Sequence, residues 1–297
     1  MPDSTPAGRA AILIVNGFDR DARGGLEEAR RFPWIGLCLE QLERHTTRSS
    51  YDVLVWDNSF LPEHLAALAD REHVSVFSEK ADTEITHGRA LDRLVRELPD
   101  DAEYVVTLDT DSFPIRDGWL ENLVGRLRRG TSLAGIWRDE MAPVVRPYVH
   151  PSCLAIRRDT LLALGMPFLR KGRVEVAQNL TTAVVSAGGR ISRLRRSNVR
   201  NVHFVLGGVY GDIVYHHGAG SRRAKFHTKL SQQMDNAVRV GLRDAAFEDI
   251  DGLIEFLTGD APAESPDQLG STLTVRRSRI RRLGARAMGR ERSNWPV

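Results

Sequence analysis

The chain has 297 residues, enough for one large domain or two small ones, and 41% of them are apolar, which supplies a sizeable core and excludes disorder over the whole length. No apolar run approaches the roughly 18 residues a spanning helix needs, and Met1 to Arg9 lacks the apolar stretch of a secretory leader, so the sequence reads as soluble and cytoplasmic. The net charge of +3 is unevenly placed: between Val275 and Val297 eight arginines face one acid, Glu291, and this tail's +7 leaves the rest of the chain at −4. A slightly acidic body argues against nucleic acid as a partner, because a binding stripe would lie on the folded domain. Cys38 and Cys153 stand far apart among apolar neighbours, which predicts buried, inert thiols and neither a disulfide framework nor a zinc site.

After a polar leader, Ala11 to Val15 is a β-branched run stopped by Asn16-Gly17, a buried strand entering a loop. Phe32 to His45, with Pro33 near its start, has helical spacing. Tyr51 to Trp56 predicts a second strand ending in Asp57-Asn58-Ser59, Pro62 to Asp70 a short helix, and Val74 to Phe77 a third strand. Thr86 to Leu98 predicts a helix carrying Gly88, and Tyr104 to Leu108 a fully apolar strand that ends in Asp109-Thr110-Asp111. This alternation predicts an open α/β sheet, mostly parallel, with ligands at the carboxyl ends of its strands. The clusters at Asn16, Asp57 and Asp109 all fall on that edge.

Gly118 to Arg129 predicts a further helix, Ser132 to Trp137 a strand, and Asp139 to Tyr148, with two prolines, a loop over the sheet. Leu154 to Ile156 reads as a short strand, Thr160 to Leu164 as a helical turn, and Val176 to Ala187 as a helix closed by Gly188-Gly189. A strand around Ile213 to Tyr215 runs into His216-His217, and Leu230 to Leu257 predicts one or two terminal helices. Gly259 to Gly270 reads as a linker, and the arginine-rich end as disordered, with weak contact to an anionic membrane surface as the alternative.

Two carboxylates two residues apart at the end of a buried strand each need solvent, a partner or a cation. Asp109 and Asp111 are such a pair, and hard divalent cations take carboxylate oxygens while leaving room for water and phosphate. A turn in which both aspartates cap the following residues is the structural alternative. The order of clusters along the chain, Asn16, Asp57, Gly88, Asp109-x-Asp111 and a late histidine, resembles the glycosyltransferases of the GT-A fold, most like the bacterial family 2 type, over roughly residues 11–221. Gly118 to Leu123 is similar to the helix that follows the DxD in that family.

The resemblance implies that Asn16 and Asp57 hold the base and ribose of a nucleotide-sugar, with Gly88 nearby. It also implies that Asp109 and Asp111 bind Mg²⁺ or Mn²⁺ bridging the diphosphate, and that His216 or His217 completes the metal shell, with His216 preferred by its position just after the strand. Arg222 could pair with phosphate oxygens. The family's acidic pair before its Gly-x-x-Ile stretch is missing here; Glu175 alone offers a carboxylate in that region and reads equally as general base or as an acid at a helix start. Asp139 and Glu140, on the presumed acceptor loop, are rival bases. The implied reaction is hexosyl transfer, inverting, from the donor to a hydroxyl or amine of a small molecule or glycan. A nucleotidyltransferase, or a non-catalytic sugar-nucleotide-binding protein of the same fold, is the alternative. The implied organisation is a leader (1–10), one catalytic domain (11–258) with a nucleotide-binding half (11–111), an acceptor half (112–221) and terminal helices (222–258), and a linker with the arginine-rich tail (259–297).

Overall fold

The computed structural model describes residues 8–18, 25–69, 71–79, 84–140, 142, 145–165, 168–169, 174–220 and 232–259. The first half runs β1 (Ala10–Asn16), α1 (Gly25–Arg31), α2 (Trp34–His45), β2 (Tyr51–Asp57), α3 (Pro62–Leu68), β3 (Val74–Phe77), α4 (His87–Leu94) and β4 (Tyr104–Asp109). The second half runs β5 (Ser112–Pro114), α5 (Trp119–Arg128), β6 (Leu133–Arg138), β7 (Tyr148–Arg157), α6 (Arg158–Ala163), α7 (Gln178–Ser186), β8 (Ile191–Leu194), β9 (Gly208–Tyr210) and β10 (Val214–His216). Two helices, α8 (Gln232–Glu248) and α9 (Ile250–Thr258), follow.

Seven strands form one sheet in the order β3-β2-β1-β4-β7-β6-β8, parallel except where β7 runs antiparallel to β4 and β6. The central strands are apolar on both faces, as a sheet covered by helices on each side requires. Along β1, Ala10, Ile12 and Ile14 pack on one face with α2, α5, α8 and α9, while Ala11 and Leu13 pack on the other with α4, α6 and α7. Successive strand residues thus feed two separate cores.

Three expectations change. The strand expected at Leu154 to Ile156 is the ten-residue β7, which takes in Tyr148, His150 and Pro151. Pro151 is tolerated because the pairing of β6 with β7 shifts register between Gly135 and Trp137, so its missing N–H falls where the ladder is interrupted. The helix expected to Leu98 ends at Leu94 and continues as a 3₁₀ turn, Val95–Glu97. Finally, β5, β9 and β10 form a small antiparallel sheet in the order β5-β10-β9, of which the sequence reading held only β10. This sheet folds the late histidines back onto the DxD: His216 lies opposite Ser112, and the His217 amide donates to the Asp111 carbonyl at 2.9 Å.

Among the described residues no helix is long and apolar enough to cross a membrane. The linker and arginine-rich tail lie outside the described residues, as does Arg222.

Candidate metal and donor site

Asp109 is the last residue of β4, and three different elements bring histidines to it. β7, paired to β4 with Cys153 opposite Leu108, carries His150, whose Nδ1 lies 4.0 Å from Asp109 Oδ2. β10, paired to β5, carries His216, whose Nε2 lies 3.9 Å from Asp109 Oδ2 and 3.7 Å from Asp111 Oδ1. The first residue of α4 is His87, with Nε2 at 3.5 Å from Asp109 Oδ1. Asp109, His150 and His216 present one ligand atom each within 4.8 Å of one another. A carboxylate oxygen and two imidazole nitrogens fit a divalent first-row metal ion. Burial, reinforced by the Arg138 charge, drives the pKa of His216 well below its usual value, and neutral imidazole is the ligating form. Asp111 is tied on its other oxygen to the Gly220 amide at 2.7 Å.

His217 faces away from this cluster. Its ring packs on Trp34, tilted by 37° with centroids 4.6 Å apart, and its Nδ1 lies 3.3 Å from the Tyr215 hydroxyl, because adjacent residues of an extended chain point to opposite sides. Of the two late histidines, His216 alone joins the carboxylates.

A pocket opens beside the cluster, walled by Phe18, Phe32 and Trp34 with Asn16, His64 and Thr110 among its polar groups. A chain of hydrogen bonds stiffens its floor. Asn16 Nδ2 donates to Asp57 Oδ1 at 2.7 Å and lies 3.1 Å from His64 Nδ1, while His64 Nε2 lies 3.0 Å from the Ala29 carbonyl. A carbonyl only accepts, so the His64 proton is on Nε2 and Nδ1 takes the Asn16 amide. The Asp57 carboxylate, 1% exposed, also receives the Ser59 amide and hydroxyl at 3.1 and 2.7 Å and the Phe60 amide at 3.1 Å. Oδ1 takes three of these bonds and Oδ2 the fourth, which makes Asp57 a holder of Asn16 and of the positive-φ Phe60. On the pocket wall, Glu28 of α1 accepts from Arg239 and Arg243 of α8 at 2.8 and 2.6 Å. Burial would raise the Glu28 pKa, but the two guanidiniums outweigh it and hold the carboxyl below its usual value.

Gly88 is placed by packing: a Cβ there would sit 2.3 Å from the Phe168 carbonyl oxygen, so α4 approaches that segment only without a side chain. Asp92, one turn further along α4, accepts the Phe168 amide at 3.1 Å, and its burial pushes the carboxyl up to about 6.

The three candidate bases differ in setting. Glu175 is exposed just before α7, where its amide donates to Gln178 Oε1 at 3.0 Å. The pKa of Tyr148 is raised, mainly by burial, and the negative charge of Glu175 adds to that rise. Glu140 is held: Arg138 Nε stands 3.1 Å from Oε2 and the Tyr210 hydroxyl donates to Oε1 at 2.8 Å. Asp139 is exposed at the start of the loop. Sequence reasoning passes over His64, His87 and Arg138, and gives no role to His150-Pro151-Ser152-Cys153, which precedes a strand and resembles the family's acceptor-side segment. His150-Pro151 reads as a turn signal, and isolated histidines on helices carry no spacing that marks a site. Both cysteines are free and buried, with Cys153 pushed up to about 12 by burial.

No protein-family profile and no curated protein matches the chain. A solved mannosyltransferase from Pyrobaculum calidifontis, in complex with GDP-Man and Mn²⁺, superposes with a TM-score of 0.54 at 16% identity, over 97% of this chain and 81% of its own. The fold is GT-A. Lower TM-scores relate this GT-A chain to glucosyl-3-phosphoglycerate synthase from Mycobacterium tuberculosis, solved with Mn²⁺, UDP and phosphoglyceric acid (0.44, 18% identity, 63% of this chain and 68% of that one). A 4-diphosphocytidyl-2C-methyl-D-erythritol synthase from Anaerococcus prevotii aligns at 0.46 with 9% identity, over 64% of this chain and 87% of its own.

Proposed function

We propose that the chain is a metal-dependent glycosyltransferase that moves a hexosyl group, with inversion, from a nucleotide diphosphate to a hydroxyl or amine on a small molecule or glycan. The observation that carries this is the convergence of Asp109, Asp111 and His216 at the carboxyl edge of a GT-A sheet, beside the aromatic-walled pocket. The pocket would take the nucleoside, with Asn16 at its floor and Asp57 holding Asn16 in place. Arg222, beyond the described residues, remains the candidate phosphate contact.

Asp109, Asp111 and His216 would hold Mg²⁺ or Mn²⁺. When bound, the cation neutralises the leaving diphosphate. Glu175, exposed just before α7, takes the acceptor proton; Glu140 is engaged by Arg138 and Tyr210, and Asp139, exposed as well, is the rival base. The acceptor oxygen or nitrogen then bonds to the anomeric carbon as the bond to the diphosphate breaks. Residues 11–258 would form the catalytic domain, with 11–111 on the nucleotide side, 112–221 on the acceptor side and 222–258 closing the pocket through Arg239 and Arg243. The free, buried thiols accord with a reducing, cytoplasmic setting.

The test is incubation of the purified chain with UDP-, GDP- and dTDP-sugars, Mn²⁺ and candidate acceptors, read by mass spectrometry. A glycosylated acceptor with nucleoside diphosphate released supports the proposal. Release of inorganic pyrophosphate would mark a nucleotidyltransferase, and tight donor binding with neither product a binding protein.

A further inference from the structure

We propose that His150 is a direct protein ligand of the cation, so that the chain offers two imidazole nitrogens beside the oxygens of Asp109 and Asp111 and selects Mn²⁺ or Co²⁺ over Mg²⁺. The inference rests on the metal-dependent reading above and deepens it. The DxD with a single histidine would be an oxygen-majority site; His150 changes the balance.

The placement of His150 follows from the sheet. β7 crosses the end of β4 antiparallel, and Thr107 on β4 donates its hydroxyl to the Pro151 carbonyl, so the residue before Pro151 is carried past the end of β4 toward Asp109. The His150 and His216 rings lie with centroids 5.4 Å apart and planes 34° apart, with Nδ1 of one and Nε2 of the other at nearly equal distances, 4.0 and 3.9 Å, from the same oxygen, Asp109 Oδ2.

The ring is also in the right tautomer. His150 Nδ1 lies 2.8 Å from the hydroxyl of the fully buried Ser152 and accepts the Ser152 amide at 3.1 Å; an amide N–H only donates, so the ring proton belongs on Nε2 and the lone pair on Nδ1, the nitrogen that faces Asp109. Ligation exchanges the Ser152 amide and hydroxyl for the cation and draws the ligand atoms closer together. Imidazole nitrogen suits borderline transition ions, whereas Mg²⁺ takes oxygen and water, so each nitrogen added to the set widens the preference for Mn²⁺ and Co²⁺.

The test uses the full chain and two readouts that need no turnover. Pulsed EPR of the Mn²⁺-loaded wild-type protein should show nitrogen couplings from two histidines; a single histidine would overturn the inference while leaving the metal-dependent reading intact. Calorimetric titration with MgCl₂, MnCl₂ and CoCl₂ should give wild-type affinity rising in that order. His150→Gln should lower Mn²⁺ and Co²⁺ affinity by about 10-fold or more and change Mg²⁺ little, in line with the losses seen when metal-site partners are removed. Equal losses for all three ions, or none, would count against direct ligation. If the variant unfolds, the wild-type nitrogen count decides alone. Failure of the wild-type protein to bind any of the three ions would overturn the metal reading itself.

Discussion

Arg138 Nη1 lies 3.4 Å from Nδ1 of His216, on the opposite side of the ring from Asp109 and Asp111. A guanidinium only donates, so Nδ1 accepts and the ring proton sits on Nε2, facing the two carboxylates. Ligation through Nε2 needs the other tautomer, with a proton on Nδ1 where Arg138 now stands. Cation entry at the proposed site would therefore displace this contact, and Arg138 would compete with the metal by charge as well as by tautomer.

Arg138→Gln should tighten Mn²⁺ binding several-fold. Titration calorimetry on the wild-type and variant proteins checks it, and weaker binding in the variant would mean that Arg138 supports the site.

Asp57→Ala should act on stability first. Four donors lose their acceptor in a buried turn, and unmet buried donors cost about 1–3 kcal/mol each at most, partly recovered by rearrangement. Thermal unfolding should fall by several degrees, with donor affinity weakening as Asn16 loosens. A variant of unchanged stability that has lost donor binding would instead make Asp57 a direct nucleotide contact.

Much of the edge on which this site is built is legible in the sequence. The apolar runs of β1, β2 and β4 and the polar residues that end them predict the sheet and its functional edge, because a strand buried on both faces leaves a local mark. What brings His150 and His216 to Asp109 leaves none. β5 and β9 are three residues each, β5 owing its strand character to β10 far along the chain and β9 to a tight hairpin with that same strand, and His150-Pro151 has the local signature of a turn although tertiary pairing makes it strand.

Asp92 gives a pH dependence whose sign is fixed by its raised pKa. Its folded value of about 6 stands above the ordinary 3.8, so the protonated form favours the fold, and that contribution is complete below 3.8 and lost as pH rises through 6. The shift corresponds to about 2–3 kcal/mol. Asp92→Asn removes the charge, so its stability relative to wild type should rise between pH 4.5 and 7.5 in urea unfolding. A difference that stays constant over that range would show that Asp92 titrates normally.

Glu175→Gln should cut turnover by roughly 10²- to 10⁴-fold with donor binding unchanged, as expected for loss of a positioned base. If turnover survives there and falls in Asp139→Asn or Glu140→Gln, the base lies on the acceptor loop, and Glu175 serves the start of α7.

The most direct test of the central claim is calorimetric titration of the wild-type chain with UDP-, GDP- and dTDP-sugars, in Mn²⁺ and again in EDTA. The metal-dependent donor site predicts saturable binding of at least one nucleotide-sugar that is lost in EDTA and in Asp109→Ala. Equal donor affinity with and without metal, or no binding of any nucleotide-sugar, would contradict it.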